Sequence, residues 1–247
     1  MKSKLNPTRI ALGVSGGIDS TLAYCFALRN GYTVTPYFFR LAQPYQRKEE
    51  AALTVLGIPF VVIDLPICAM QPETPTEVNY MIPGRNTVMA TIMASTLPNE
   101  VWIVGLADEN HPFNLDKNDQ FYRLTTEVIS KTFGLPISVR SPFSSLSKTE
   151  LLQWGEQNVG MTTIEKTVSC YHPTLNKCGQ CAACLKRYAG FFGAGLPTER
   201  FFISPMKTEL ARQTQAKYQT LLNHGDFSHY SKTRLSIFLA AYEGANG

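Results

Sequence analysis

The run Ser15-Gly16-Gly17-Ile18-Asp19-Ser20 constrains this chain more than any other feature, because it separates an apolar stretch, Ile10 to Val14, from the helix-like Thr21 to Leu28. A strand that feeds a helix through a Gly-Gly turn aims several backbone N–H groups at one point, and the helix adds its positive dipole end. Gly16 and Gly17 carry no side chains to block close approach, and Ser15 and Ser20 add hydroxyl groups. Such a turn cradles phosphate. It lacks the Lys of the Walker pattern and the third Gly of the dinucleotide fingerprint, so neither of those loops fits.

The first half of the chain repeats the same alternation. Ile10 to Val14, Thr33 to Phe39, Pro59 to Ile63 and Val101 to Val104 read as strands. Thr21 to Asn30, Arg47 to Leu56 and Asn86 to Leu97 read as helices between them. A further helix is expected over Phe121 to Thr132 and a short strand over Ile137 to Val139. Strand-helix alternation implies a doubly wound α/β fold with a parallel sheet, in which ligands bind beyond the carboxyl ends of the strands at a switch in strand order. Ser147-Lys148-Thr149-Glu150 has the form of a capping box and marks a helix start.

The character changes after Gly160. Thr167 to Pro205 is rich in Cys, Gly and aromatic residues, and Met206 to Tyr242 is helical in composition. We therefore divide the chain into a nucleotide-binding domain (1–160), a small metal-binding module (161–205) and a helical tail (206–247). Leu210, Tyr218, Leu221, Leu222, Leu235, Ile237, Phe238 and Leu239 are the tail's packing positions, either on the main domain or in an oligomer.

With 44% hydrophobic and 17% charged residues, the chain is neither disordered nor membrane-spanning, and Met1-Lys2-Ser3-Lys4 leads into no signal-peptide core. The expectation is a cytoplasmic protein with no membrane partner. A net charge of +4 suits a small anionic substrate and is too mild to argue for nucleic acid by itself.

Cys170, Cys178, Cys181 and Cys184 are separated by seven, two and two residues, close enough for four thiolates to reach one tetrahedral ion. Gly179 supplies the backbone freedom a metal knuckle needs. Four ligands with no open position make a structural zinc site; an iron–sulfur cluster and redox-active Cys-x-x-Cys pairs are the alternatives. Cys25 and Cys68 read as ordinary buried thiols. In Pro83-Gly84-Arg85-Asn86 the first two residues form a turn and Asn86 serves as an N-cap, which leaves Arg85 available to a phosphate or carboxylate.

The SGGIDS loop resembles the pyrophosphate loop of ATP pyrophosphatases. Taken in order with PGRN at position 85, Lys148 at a helix start, and SCY followed by CGQCAACLKR and GF, it resembles 7-cyano-7-deazaguanine synthase, the QueC family, from about Ile10 to Phe202. The resemblance implies an adenine nucleotide alpha hydrolase-like sheet with a C-terminal zinc-binding module. It also implies ATP-dependent adenylation of 7-carboxy-7-deazaguanine, displacement of AMP by ammonia, and a second activation and dehydration to the nitrile. ATP, Mg²⁺ and one Zn²⁺ held by the four Cys are the expected cofactors, and dimers are common in the family. Ser15, Gly16, Gly17, Asp19 and Ser20 match the pyrophosphate loop; Arg85 and Asn86 match the element beside nucleotide and substrate; Lys148 matches the Lys that neutralises phosphate charge. Asp19, Arg85 and Lys148 are thus the expected catalytic residues. Arg187 matches the Arg that closes the zinc motif, or is a solvated helix charge.

Two stretches depart from the family pattern. Ala42-Gln43-Pro44-Tyr45 keeps the Gln of a Gly-Gln-x-His element and loses its His. Residues 105–119, which contain Asp108, His111, Asp116 and Asp119, replace the family's substrate loop. His111 is a substrate contact or general base, or is merely solvated. These departures leave room for an enzyme that couples the activated deazaguanine to a protein amine, as in defence-associated relatives, with the tail as a protein-binding element. A tRNA-thiolating enzyme and a non-catalytic nucleotide-binding partner complete the alternatives.

Overall fold

β1 (Arg9–Gly13) alternates its side chains between two cores: Ile10 and Leu12 enter one, Ala11 the other, all at most 1% exposed. The same alternation divides β2 (Thr33–Arg40) into Phe38 against Tyr37 and Phe39. β3 is Val61–Asp64. β4 (Glu100–Trp102) sends Trp102 to one face and Val101 to the other, and β5 is Ser138–Arg140. In the computed structural model, which describes residues 7–70, 82–110 and 114–246, these strands form one parallel sheet in the order β3-β2-β1-β4-β5. Burial on both faces is why its centre reads as nearly continuous apolar sequence.

The helices that cover the sheet follow from the chain's punctuation. α1 (Ile18–Arg29), α2 (Gln46–Val55), α3 (Arg85–Ala94) and α4 (Asp119–Phe133) connect the strands. α4 is capped by Asn118, whose side chain accepts from Phe121 N at 2.8 Å. α5 (Lys148–Asn158) carries the expected capping box: Ser147 Oγ accepts from Glu150 N at 3.2 Å, and Glu150 returns a carboxylate to Ser147 N at 2.7 Å. A side chain at Gly155 would lie 2.6 Å from Leu22, so this glycine lets α5 press onto α1.

Three expectations need correction. α1 begins at Ile18, three residues before the predicted Thr21, so Asp19 and Ser20 lie in its first turn and not in the loop. α3 is capped by Gly84, at φ 73°, and not by Asn86; Asn86 sits in the first turn, 3% exposed, donating to Asp116 O at 3.1 Å. α3 also stops at Ala94, before the predicted Leu97, which turns left-handed ahead of Pro98.

α6 (Met161–Glu165) and α7 (Ala182–Gly193) frame the cysteine-rich segment, and α8 (Glu209–His224) and α9 (Lys232–Asn246) form the tail. The tail packs on α7 through a core that joins Leu185 and Ala189 to Met206, Tyr218, Leu235, Phe238 and Leu239. A side chain at Gly193 would lie 2.7 Å from Ile237 and 2.8 Å from Thr149, so α9 and the start of α5 meet across α7 at that position. Among the described residues, no helix is long and apolar enough to cross a membrane.

Candidate active-site cleft and cysteine centre

Strand order reverses between β1 and β4, and the segments that leave these two strands meet beyond their carboxyl ends. The first is the Ser-Gly-Gly loop. Ser15 N donates to Ser20 Oγ at 3.2 Å, Ser20 Oγ to Gly17 O at 3.3 Å, and Val168 N to Gly16 O at 2.9 Å. Gly16 has φ +68°, and a Cβ there would lie 2.8 Å from Glu49 O, so both conformation and space demand glycine. Gly17 caps α1 without a side-chain hydrogen bond, which leaves the helix's first amides to a ligand.

Lys148, the first residue of α5, forms an ion pair with Asp19 in the first turn of α1. This contact joins two predicted site residues that are far apart in sequence. The segment after β4 closes the other side. Asp108 Oδ2 accepts from Lys148 N at 3.1 Å and Asp108 Oδ1 accepts from Ser231 of the tail at 3.2 Å. Lys117 Nζ contacts Glu109 at 3.3 Å. Burial opposes ionisation of Glu109, but Lys117, Lys186 and Lys148 outweigh it and hold the carboxyl down to about 2. Lys186 is itself pushed down to about 8, first by the surrounding protein and then by Arg234.

Arg85 opens α3 on the cleft's far wall, where its Nε donates to Asn86 Oδ1 at 3.2 Å. Around it stand half-buried Glu49, pushed up to about 8 by loss of water, and Tyr171, raised to about 12 by burial and then by Cys181; the charge of Arg85 opposes both shifts. Tyr45 and Tyr171 bring their rings to 5.2 Å. Gln43 is 8% exposed, and its Nε2 has no hydrogen-bond partner among the described residues.

The predicted residues thus fall into two groups of one cleft: Ser15, Gly16, Gly17, Asp19, Ser20 and Lys148 at the loop, and Arg85 with Asn86 on the opposite wall. Asp119 is structural, exchanging hydrogen bonds with Asn110 at 2.9 and 3.0 Å, and Asp116 meets Asn86 through its backbone carbonyl. His111 lies outside the described residues. The sequence reading missed Glu49, Glu109, Lys117, Lys186 and Arg234, which no local pattern marks. Tyr171 did carry a signal, its place in SCY.

The four cysteine sulfurs of Cys170, Cys178, Cys181 and Cys184 lie within 4.8 Å of one another. Cys178 Sγ and Cys184 Sγ are 3.9 Å apart. A tetrahedral zinc with Zn–S bonds of ~2.3 Å sets its sulfurs ~3.8 Å apart, so the arrangement fits the ion. Backbone amides support thiolate character: His172 N and Cys178 N each donate to Cys170 Sγ at 3.4 Å, Tyr171 N to Cys181 Sγ at 3.5 Å, and Gln180 N to Cys178 Sγ at 3.4 Å. Gly179 has φ +83°, and a Cβ there would lie 1.7 Å from Ile203 O.

Arg187 is not a solvated helix charge. Its side chain is 3% exposed and pairs with Glu199, 4% exposed. It also donates to Thr167 Oγ1 at 2.9 Å and to Ile164 O at 3.0 Å, tying α6 and α7 to the chain beyond the cysteines.

Residues 63–195, more than half of the chain, match the family described as Queuosine biosynthesis protein QueC. The chain belongs to the QueC family. It is similar to the 7-cyano-7-deazaguanine synthase of Methanocaldococcus jannaschii, 26% identical over 225 residues, covering 77% of this chain and 97% of that protein. It is likewise similar to the 7-cyano-7-deazaguanine synthase of Picrophilus torridus, 28% identical over 216 residues, covering 76% and 89%. Among solved structures, a 4-thiouridine synthetase–RNA complex with bound ATP is similar at 20% identity and a TM-score of 0.41. This chain spans 91% of its own length and about half (54%) of that one in the likeness, which is too loose to bear on function. The QueC match ends at residue 195, so α8 and α9 lie beyond it.

Proposed function

We propose that this QueC-family chain is an ATP-dependent 7-cyano-7-deazaguanine synthase, a carbon–nitrogen ligase that releases AMP. A carboxylate oxygen of 7-carboxy-7-deazaguanine attacks the α-phosphorus of ATP and pyrophosphate departs. Ammonia then displaces AMP and loses a proton to give the amide; a second ATP adenylates the amide oxygen with departure of pyrophosphate, and loss of AMP and both amide N–H protons gives the nitrile. The observation that carries this reading is the Asp19–Lys148 pair beside uncapped α1 amides at the strand-order switch.

The protein needs no side-chain nucleophile, because its work is alignment and stabilisation of developing charge. The amides at 15–20 and the hydroxyls of Ser15 and Ser20 receive the phosphates, and Lys148 neutralises the departing pyrophosphate. Arg85 faces the substrate carboxylate or α-phosphate, and Asn86 fixes Arg85 against residues 105–119 through Asp116. Tyr45 and Tyr171 offer flat surfaces for a heterocycle. Mg²⁺, held with ATP by Asp19, would supply charge neutralisation at the phosphates. The zinc at the four cysteines has a structural role.

A second reading keeps the activation and replaces ammonia with a protein amine. It is favoured by the departure of the 105–119 sequence from the family pattern and by Asp108, which is pinned to the tail. One experiment separates the two: mass spectrometry of products from purified protein, ATP, Mg²⁺, ammonium and 7-carboxy-7-deazaguanine. Nitrile with AMP is the expected result; AMP without nitrile favours the second acceptor, and intact ATP defeats both. Asp19→Ala should abolish AMP release while leaving the thermal midpoint nearly unchanged, and unaltered turnover would remove Asp19 from the mechanism.

A further inference from the structure

α5, α7 and α9 converge beside the phosphate loop, and each brings a cation there. The stem of Lys148 lies against α7, where a Cβ at Gly190 would be 2.9 Å from Lys148 Cγ. Lys186 is four residues earlier on the same helix and therefore on the same face, one turn nearer its N-terminus. Ile237 of α9 meets that helix at Gly193, and Arg234, three residues before Ile237, shares its side of α9. Arg234 is held in place there. One guanidinium N–H reaches Asp108 O at 3.4 Å, and the guanidinium carbon lies 4.8 Å from the centroid of the Tyr230 ring.

Cations outnumber carboxylates here, with Lys117, Lys148, Lys186 and Arg234 against Asp19, Asp108 and Glu109. Lys148 is paired with Asp19 and Lys117 with Glu109, whereas Lys186 has neither an ion pair nor a hydrogen bond among the described residues. Arg234 spends N–H groups on the Asp108 carbonyl and on the Tyr218 hydroxyl, which leaves part of its five donors for a ligand. Both placements carry a cost: Lys186 and Arg234 repel each other, which Glu109 offsets only in part for Lys186, and Arg234 stands in the first turn of α9, where the helix dipole disfavours a cation. Four cations that continue outward from a phosphate loop match an extended polyanion better than a single carboxylate.

We propose that Lys186 and Arg234 extend the phosphate loop into a binding site for the pyrophosphate end of the nucleotide, with the tail beyond the QueC match supplying Arg234. The proposal rests on the ATP-dependent reading above. Ser231 and Arg234 hold Asp108, so the tail also fixes one wall of the cleft.

The test is calorimetric titration of the zinc-loaded full chain with inorganic pyrophosphate and, separately, with 7-carboxy-7-deazaguanine, for the wild type, Lys186→Met, Arg234→Met and Arg234→Lys, and of the wild type with ATP. Circular dichroism and zinc content confirm that each variant folds. Lost charge-assisted hydrogen bonds should weaken pyrophosphate binding about tenfold or more in each Met variant. Arg234→Lys should recover part of that loss, and binding of the deazaguanine should not move. Loss confined to the deazaguanine would overturn the proposal by making this a carboxylate site. Unchanged binding of both would overturn it while leaving the ATP-dependent reading intact, and a wild type that binds neither pyrophosphate nor ATP would overturn both. If Arg234→Met misfolds, Lys186→Met alone decides, since its side chain lies outside the buried core.

Discussion

The sheet and the cysteine segment are held together by different physics. Trp102, Phe38, Phe143, Leu12 and Leu22 fill the core over one sheet face with exposures at or below 2%. Each such side chain contributes roughly 1.5–3 kcal/mol by leaving water, without directional demands. Around the cysteines the buried cluster consists of Cys170, Cys178 and Cys184, with only Leu175, Cys181 and Phe201 packed against it among the described residues. Cohesion there comes from the Arg187–Glu199 pair and would come from ligation of an ion by the four sulfurs, both of which depend on complete sets of partners. A hydrophobic core degrades gradually when trimmed, whereas a ligand set or a buried ion pair fails when one member is removed.

The largest expected effect is therefore metal loss. Zinc binding in small domains is worth roughly 10–16 kcal/mol of folding free energy. Cys181→Ser, or chelation of the wild type, should expose amides 167–203 to hydrogen exchange while the sheet amides stay protected; a metal-free wild type with a protected cysteine segment would end the ligation account. Next is Arg187→Met, which strands Glu199 with Lys177 alone and should cost about 3–5 kcal/mol in denaturant unfolding. A cost near zero would make the pair dispensable.

A smaller effect follows from protonation. Burial opposes ionisation of Glu199, but hydrogen bonds and charge from Arg187 and Lys177 outweigh it and leave its pKa below the usual carboxylate value. Its contribution is thus complete above the ordinary glutamate range and is lost as pH falls through the depressed folded value. Acid unfolding followed by hydrogen exchange should open the cysteine segment before the sheet, and Arg187→Met should erase that order. The mildest change is Ile10→Val in the sheet, expected to cost about 0.5–1.5 kcal/mol with no effect on zinc content.

Much of the sheet was readable because apolar runs are local signals: Ile10 to Leu12 and Val101 to Trp102 announce their strands in a few residues. The cysteine spacing and the Ser-Gly-Gly turn are local in the same sense. What escaped is tertiary. Asn86 has an N-cap's composition, yet burial against Asp116 decided its place. Arg187 reads like any helical charge until Glu199, twelve residues on, closes over it. Lys186 and Arg234 sit in unremarkable helical sequence and acquire meaning only where α7 and α9 cross. Three residues of α1 were misassigned to the loop because Gly-Gly suggests a longer turn than it makes.

Arg85 is the first residue of α3, Lys148 the first of α5, and Arg234 belongs to the first turn of α9. Stationing basic groups at the positive ends of helices superposes two fields of the same sign over one concave surface, and low-dielectric walls focus that field outward. An approaching polyanion is drawn in before it touches anything, over a distance limited by salt to ~8–10 Å at physiological ionic strength. The rate at which ATP or pyrophosphate is captured should accordingly fall steeply with added salt in stopped-flow measurements, while the rate of its escape changes little.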